Sequence, residues 1–298
     1  MKRLVLVAAL AVASLQATSA HAAVAIADTD DPVAIVAALS VYADIARQIA
    51  GPQIDITSLL TNPTQNPHAV TASPSAARAF AHADLVIENG LGYDPWVDAL
   101  LAGTAAVGRK VIVVGTLLGR AQGYNPHLWF DPGMAVPLAE AIKQALATDE
   151  PTASKALRNR TRLFEASLDP INAKINAMRA QYANMAVAAD EPVLGLLAAA
   201  LGLSVRDTAF QRDIMAGREP DEKAVAEIED DLRTHEVELL IYNTQVMNAA
   251  TKHLLEVAKD ARVPVVLVSE TLPKGMTYQA WMMNTLNALD KALSYDPD

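Results

Sequence analysis

Apolar strands that alternate with helices predict an α/β fold made of two similar lobes, each with a parallel sheet, around a connecting helix. Three observations carry this. Short apolar runs ending in turn or capping residues recur on both sides of the chain's middle. Between them, residues 152–182 break the alternation: Leu157, Phe164, Leu168, Ile171, Ile175, Met178 and Tyr182 recur at intervals of three, four or seven, along one side of a helix. Finally, the triplet Asn66-Pro67-His68 returns as Asn125-Pro126-His127, each copy past a strand and shortly before a helix start.

The elements follow in order. Lys2 and Arg3, the apolar run Leu4 to Leu15 and the small-x-small site Ala20-His21-Ala22 read as a signal peptide over residues 1–22, outside the fold. Residues 23–150 form the first lobe. Val33 to Leu39 is a strand and Ser40 caps a helix to about Ala50; Ile54 to Leu60 is the second strand. Ser73-Pro74 is a cap and first-turn proline. Asp84 to Glu88 and Lys110 to Val114 are strands separated by the glycine-containing loop Asn89 to Tyr93 and a short helix through Trp96. Asp131-Pro132 opens a helix to about Ala147.

Residues 151–183 are the connecting helix, in which Pro170 predicts a kink or interruption. Residues 184–298 form the second lobe. Met185 to Ala189, Val237 to Tyr242 and Val263 to Val268 are its strands. Its helices start at Glu191-Pro192, run over Asp221 to Thr234 and Met247 to Lys259, and close with the face Tyr278, Met282, Leu286, Leu289 and Leu293.

Composition narrows the function. The net charge is −10, and removing the leader takes away only basic residues, so the mature chain is more acidic still. That argues against nucleic acid and is permissive for cations. There is no cysteine, hence no disulfide, no thiolate metal site and no N-terminal cysteine to carry a lipid anchor. An exported, periplasmic, soluble protein is expected, with no apolar run long enough to span a bilayer.

His68, His127, Glu191 and Glu270 each lie just past a predicted strand's C-terminal end, the edge at which open α/β sheets bind ligands. Two imidazoles and two carboxylates suit a first-row divalent ion such as Mn²⁺, Fe²⁺ or Zn²⁺. A bidentate carboxylate raises the coordination number and favours manganese; monodentate binding leaves a tetrahedral, zinc-like site. Each ligand has a plainer reading. Glu191 before a proline is favoured by a helix dipole alone, and Glu270 can be a polar residue leaving a buried strand. His82, His235 and His253 read as helix-end or solvated residues, and Asp131 and Asp221 as caps.

The segments Thr57 to Pro63 with Asn66-Pro-His68, Asn89-Gly-Leu-Gly-Tyr-Asp-Pro-Trp96, Asn125-Pro-His-Leu-Trp-Phe-Asp-Pro132, Glu191-Pro-Val-Leu-Gly195 and Ser269-Glu-Thr-Leu-Pro273 together resemble the metal-binding solute-binding proteins of zinc and manganese ABC importers. The resemblance runs from about residue 33 to 295. It implies two Rossmann-like lobes joined by a long rigid helix, with a metal held between them by His68, His127, Glu191 and Glu270 and handed to a membrane permease. It also implies a monomeric transport receptor without catalysis. Many zinc members carry a third histidine where this chain has Glu191, and a histidine-rich loop that is absent here. A glutamate at that position resembles the manganese type, whereas the fourth ligand, commonly Asp, is Glu270. The rival readings are a secreted metallohydrolase, for which no HExxH helix or nucleophile motif is present, and a metal-dependent surface adhesin.

Overall fold

A computed structural model describes residues 33–62, 67, 70, 72–104, 106–147 and 151–295. The predicted leader and His68 lie outside the described residues. The first sheet contains β1 (Ala34–Leu39), β2 (Asp55–Leu60), β3 (Leu85–Glu88) and β4 (Lys110–Val113), in the order β2-β1-β3-β4. The second repeats that pattern with β5 (Ala186–Ala189), β6 (Ser204–Val205), β7 (Leu240–Asn243) and β8 (Val265–Val268), in the order β6-β5-β7-β8. All pairings are parallel. In each sheet the winding reverses beside the first strand, between β1 and β3 and between β5 and β7, which opens a crevice at the strands' C-terminal ends. β1 reads Ala-Ile-Val-Ala-Ala-Leu because a central parallel strand is covered on both faces, and all but its first residue are buried.

In the first lobe α1 (Ser40–Ala50), α2 (Pro74–Ala81), α3 (Pro95–Gly103), the short α4 (Val114–Leu117) and α5 (Ala135–Ala145) follow the strands. Ser73 caps α2, accepting from the Ala76 N–H with Pro74 in the first turn, as its sequence predicts. Ser40 does not cap α1. Leu39 occupies the cap position without a side-chain bond, and the Ser40 Oγ instead accepts from the Leu272 N–H at 3.0 Å, tying the loop after Glu270 to the first lobe. Asp131 likewise closes a turn, accepting from the Gly133 N–H, and α5 begins only at Ala135.

The connector is two consecutive helices, α6 (Pro151–Ala166) and α7 (Asp169–Tyr182), with Pro170 in the first turn of the second, where a missing N–H costs nothing. α6 packs on α1 and α5, whereas α7 packs on the second lobe's α8 (Gly195–Leu201) and α12 (Tyr278–Leu293). Arg160 of α6 caps α1, donating from Nε to Ile49 O and from Nη2 to Ala50 O, both at 2.7 Å. α7 is held to α12 by Lys174 and Tyr182, which share the Asp290 carboxylate.

The second lobe is completed by α9 (Thr208–Met215), α10 (Glu222–Arg233) and α11 (Ala249–Asp260). Asp221 caps α10 and Asn248 forms a capping box on α11. β6 and α9 are additions to the sequence reading. β6 has only two residues, and α9 lies in a polar stretch with no apolar run to mark it.

Candidate metal centre

Three of the four residues singled out from sequence meet at the C-terminal edges of the two sheets. His127 arrives from the first lobe on a loop after α4, and Glu191 and Glu270 from the loops after β5 and β8. All three are buried. His127 Nε2 lies 3.4 Å from Glu270 Oε2. Asn243, the last residue of β7, donates from Nδ2 to Glu191 Oε2 at 2.6 Å and to Glu270 Oε1 at 2.8 Å, so one amide links both carboxylates. Glu191 precedes a single 3-10 turn, Pro192–Leu194, and makes no side-chain cap bond.

The loop Asn89 to Tyr93 brings in a phenol. Gly90 adopts φ +74°, and a Cβ there would stand 2.7 Å from a Val113 methyl, so only glycine fits this turn. The Asp94 carboxylate accepts from the N–H groups of Asn89 and Gly90 and closes the loop. Tyr93 then donates its O–H to Glu270 Oε2 at 2.8 Å. Asn89 donates to Pro126 O and accepts from the Tyr42 hydroxyl, so this loop also supports the His127 loop from beneath.

The second Asn-Pro-His copy explains itself locally. Asn125 Oδ1 accepts from the His127 backbone N–H at 3.0 Å and faces His127 Nδ1 at 2.8 Å. An oxygen already accepting from an N–H must also accept from the ring, so Nδ1 carries a proton, and a neutral ring would present its lone pair at Nε2. Asn125 Nδ2 donates to Pro192 O at 2.7 Å, which joins this loop to the one bearing Glu191.

Among the described residues, two buried polar atoms of the cluster, His127 Nε2 and Glu191 Oε1, have no hydrogen-bond partner. A buried lone pair without a donor is costly unless a cation takes it. The charges agree: burial first, and then the neighbouring Glu270, push the Glu191 carboxyl up to about 8 despite the Asn243 bond that lowers it. Asp190 beside it is raised as well, chiefly by burial and further by Glu191, against the lowering bond from the Asn243 N–H. Such a nest of carboxylates gains from a divalent ion. Its spacing fits one too: two donors on a tetrahedral ion with zinc-like bonds sit about 3.3 Å apart, close to the 3.4 Å between Nε2 and Oε2. Among the described residues no group of three His, Asp or Glu side chains is arranged to hold a metal ion as it stands; His127 and Glu270 lie close together, with Asn125, Asn243 and Tyr93 orienting them.

Residues 35–292 match the family model described as "Zinc-uptake complex component A periplasmic". The chain belongs to this family. Its members are periplasmic or extracytoplasmic binding proteins that work with ABC-transporter permeases, and they are transport proteins, not enzymes. The iron-binding protein YfeA of Yersinia pestis is 25% identical over 171 residues, which cover 55% of this chain and 55% of that protein. The manganese-binding lipoprotein MntA of Bacillus subtilis is 21% identical over 89% of this chain and 90% of its own length. Among solved structures, the periplasmic zinc-binding protein TroA of Treponema pallidum superposes with a TM-score of 0.72 at 18% identity, over 89% of this chain and all of that one. The shared fold is the two-lobed architecture that the alternating strands predict.

Asn125 belonged to a motif picked out from sequence, and Tyr93 to the glycine loop. Asn243 carried no signal, because an asparagine closing an apolar strand has no spacing pattern of its own.

Proposed function

We propose that this protein captures a divalent transition metal, Zn²⁺ or Mn²⁺ with Fe²⁺ as a further candidate, between its lobes and delivers it to an ABC importer permease. The ligands in this reading are His68, His127, Glu191 and Glu270. The observation that carries it is the pair of buried atoms, His127 Nε2 and Glu191 Oε1, left without hydrogen-bond partners among the described residues beside a third side chain, the acidic Glu270. Family membership over residues 35–292 supports the same role.

The carboxylates come from the second lobe and His127 from the first, so an arriving cation draws residues 23–150 and 184–298 together. Residues 151–183 serve as the connector. α6 rides on one lobe and α7 on the other, which confines relative motion to the short turn at Ser167-Leu168. Ligation requires a neutral imidazole and ionised carboxylates, so capture expels protons and is favoured at higher pH. Export through residues 1–22 as a leader and action as a monomer complete the proposal.

Elemental analysis of the protein purified from its own periplasm, followed by competition between zinc and manganese, tests it. One equivalent of a first-row divalent metal is expected. Protein isolated without metal that also takes up none in calorimetric titration at neutral pH would overturn the reading.

A further inference from the structure

We infer that Gln245 is a positioning residue that fixes the main chain of Glu270, so that this carboxylate is in place before a cation arrives. This rests on the metal-capture reading and names a residue outside the ligand set that prepares the site.

The loops that follow β7 and β8 leave neighbouring strands of one sheet and stay in contact. Thr244 begins the link, donating from its backbone N–H and from Oγ1 to Val268 O, both at 2.9 Å. Gln245 carries it one step further. Its Oε1 accepts from the Glu270 N–H at 2.5 Å, and its Nε2 donates to Thr271 Oγ1 at 3.0 Å. The two contacts fix which end of the amide is oxygen, because only an acceptor can face the N–H. Gln245, Glu270 and Thr271 are all buried, where a backbone N–H left without an acceptor is costly.

The same residue reaches the side chain of Glu270 by a second route. The Gln245 backbone N–H donates to Asn243 Oδ1 at 3.0 Å, which leaves Asn243 Nδ2 facing the carboxylates, 2.8 Å from Glu270 Oε1. Glu270 is thus held at its N–H by the Gln245 side chain, and at its carboxylate by the amide that the Gln245 main chain orients. A glutamate on an unfixed main chain would sample many carboxylate positions, and ordering it at the moment of binding would subtract from affinity. Fixing both ends beforehand removes that cost.

The Gln245 side chain can be changed while its main-chain bond to Asn243 stays. Gln245→Met keeps the length and loses the acceptor. It should weaken binding of Zn²⁺ and Mn²⁺ by about 10–100-fold in calorimetric titration. In the metal-free variant the Glu270 amide should exchange with solvent about tenfold faster or more, followed by NMR. Gln245→Glu restores an acceptor at the same reach and should recover most of the lost affinity and protection. Thr244→Val cuts a bond between the same two loops without touching Glu270, so it should lower the melting temperature and leave affinity unchanged. Wild-type affinity in Gln245→Met, or an equal loss in Thr244→Val, would overturn the inference. Exchange of the wild-type Glu270 amide as fast as that of an exposed loop would overturn it too, which decides the matter even if Gln245→Met does not fold. A wild type that takes up neither ion would instead overturn the capture reading itself.

Discussion

Asn125 Oδ1 accepts from both the backbone N–H and the ring Nδ1 of His127, and this double bond to one neighbour two residues away turns Nε2 toward the carboxylates of the other lobe. An imidazole oriented in this way is a better ligand because its tautomer and ring angle are set before the metal arrives. Asn125→Ala should lower metal affinity by about 10–100-fold while leaving the circular dichroism spectrum unchanged. Calorimetric titration checks this, and wild-type affinity would show that His127 needs no such support.

Removing an imidazole should cost more. His127→Ala and His68→Ala are each expected to abolish high-affinity binding, whereas His253→Ala, on the exposed face of α11 opposite Glu229, should leave it unchanged. Near-normal titration in both site variants would remove the histidines from the ligand set.

Glu191 makes the metal-free protein sensitive to pH. Burial and Glu270 raise its carboxyl from 4.5 to about 8 in the folded state. Between those values the native state binds a proton that the unfolded chain does not, so stability falls as pH rises through this window. The metal-free melting temperature should therefore be lower at pH 8 than at pH 6, and Glu191→Gln should flatten that dependence. Metal replaces the proton, so loading near pH 7 should release protons, seen as a calorimetric enthalpy that varies with buffer ionisation. A metal-free melting temperature that rises over this range would contradict the assignment.

Arg160 joins the connector to α1 through two carbonyls that no helix residue can satisfy. Arg160→Ala should destabilise the protein by about 1.5–3 kcal/mol, read as a lower urea midpoint, with little change in metal affinity. A midpoint equal to wild type would mean that water serves these carbonyls equally well.

The sheets were legible because parallel strands buried on both faces read as unbroken apolar runs, and the Ser73 and Asp221 caps because their chemistry is local. Ser40 was misread for the converse reason: a serine before a helix looks like a cap, but here the Leu272 N–H, far along the chain, claims its oxygen. The connector's interruption at Pro170 was foreseeable from the ring's missing N–H. The convergence of Glu191 with Glu270 could be anticipated from their shared position just after strands, whereas His127 lies beyond β4, α4 and a further loop and not just past a strand end as its sequence suggested. The amide that links the two glutamates could not, since nothing in the run Leu-Ile-Tyr-Asn distinguishes a strand end from a positioning residue until the second sheet is folded.

The most direct measurement is an anomalous difference map from crystals of the metal-loaded protein, collected at that metal's absorption edge. A single strong peak within about 2.0–2.2 Å of His127 Nε2, Glu191 Oε1 and Glu270 Oε2, with His68 completing the sphere, is the predicted result. A loaded protein whose peak lies elsewhere, with these three side chains arranged as they are without metal, would contradict the account.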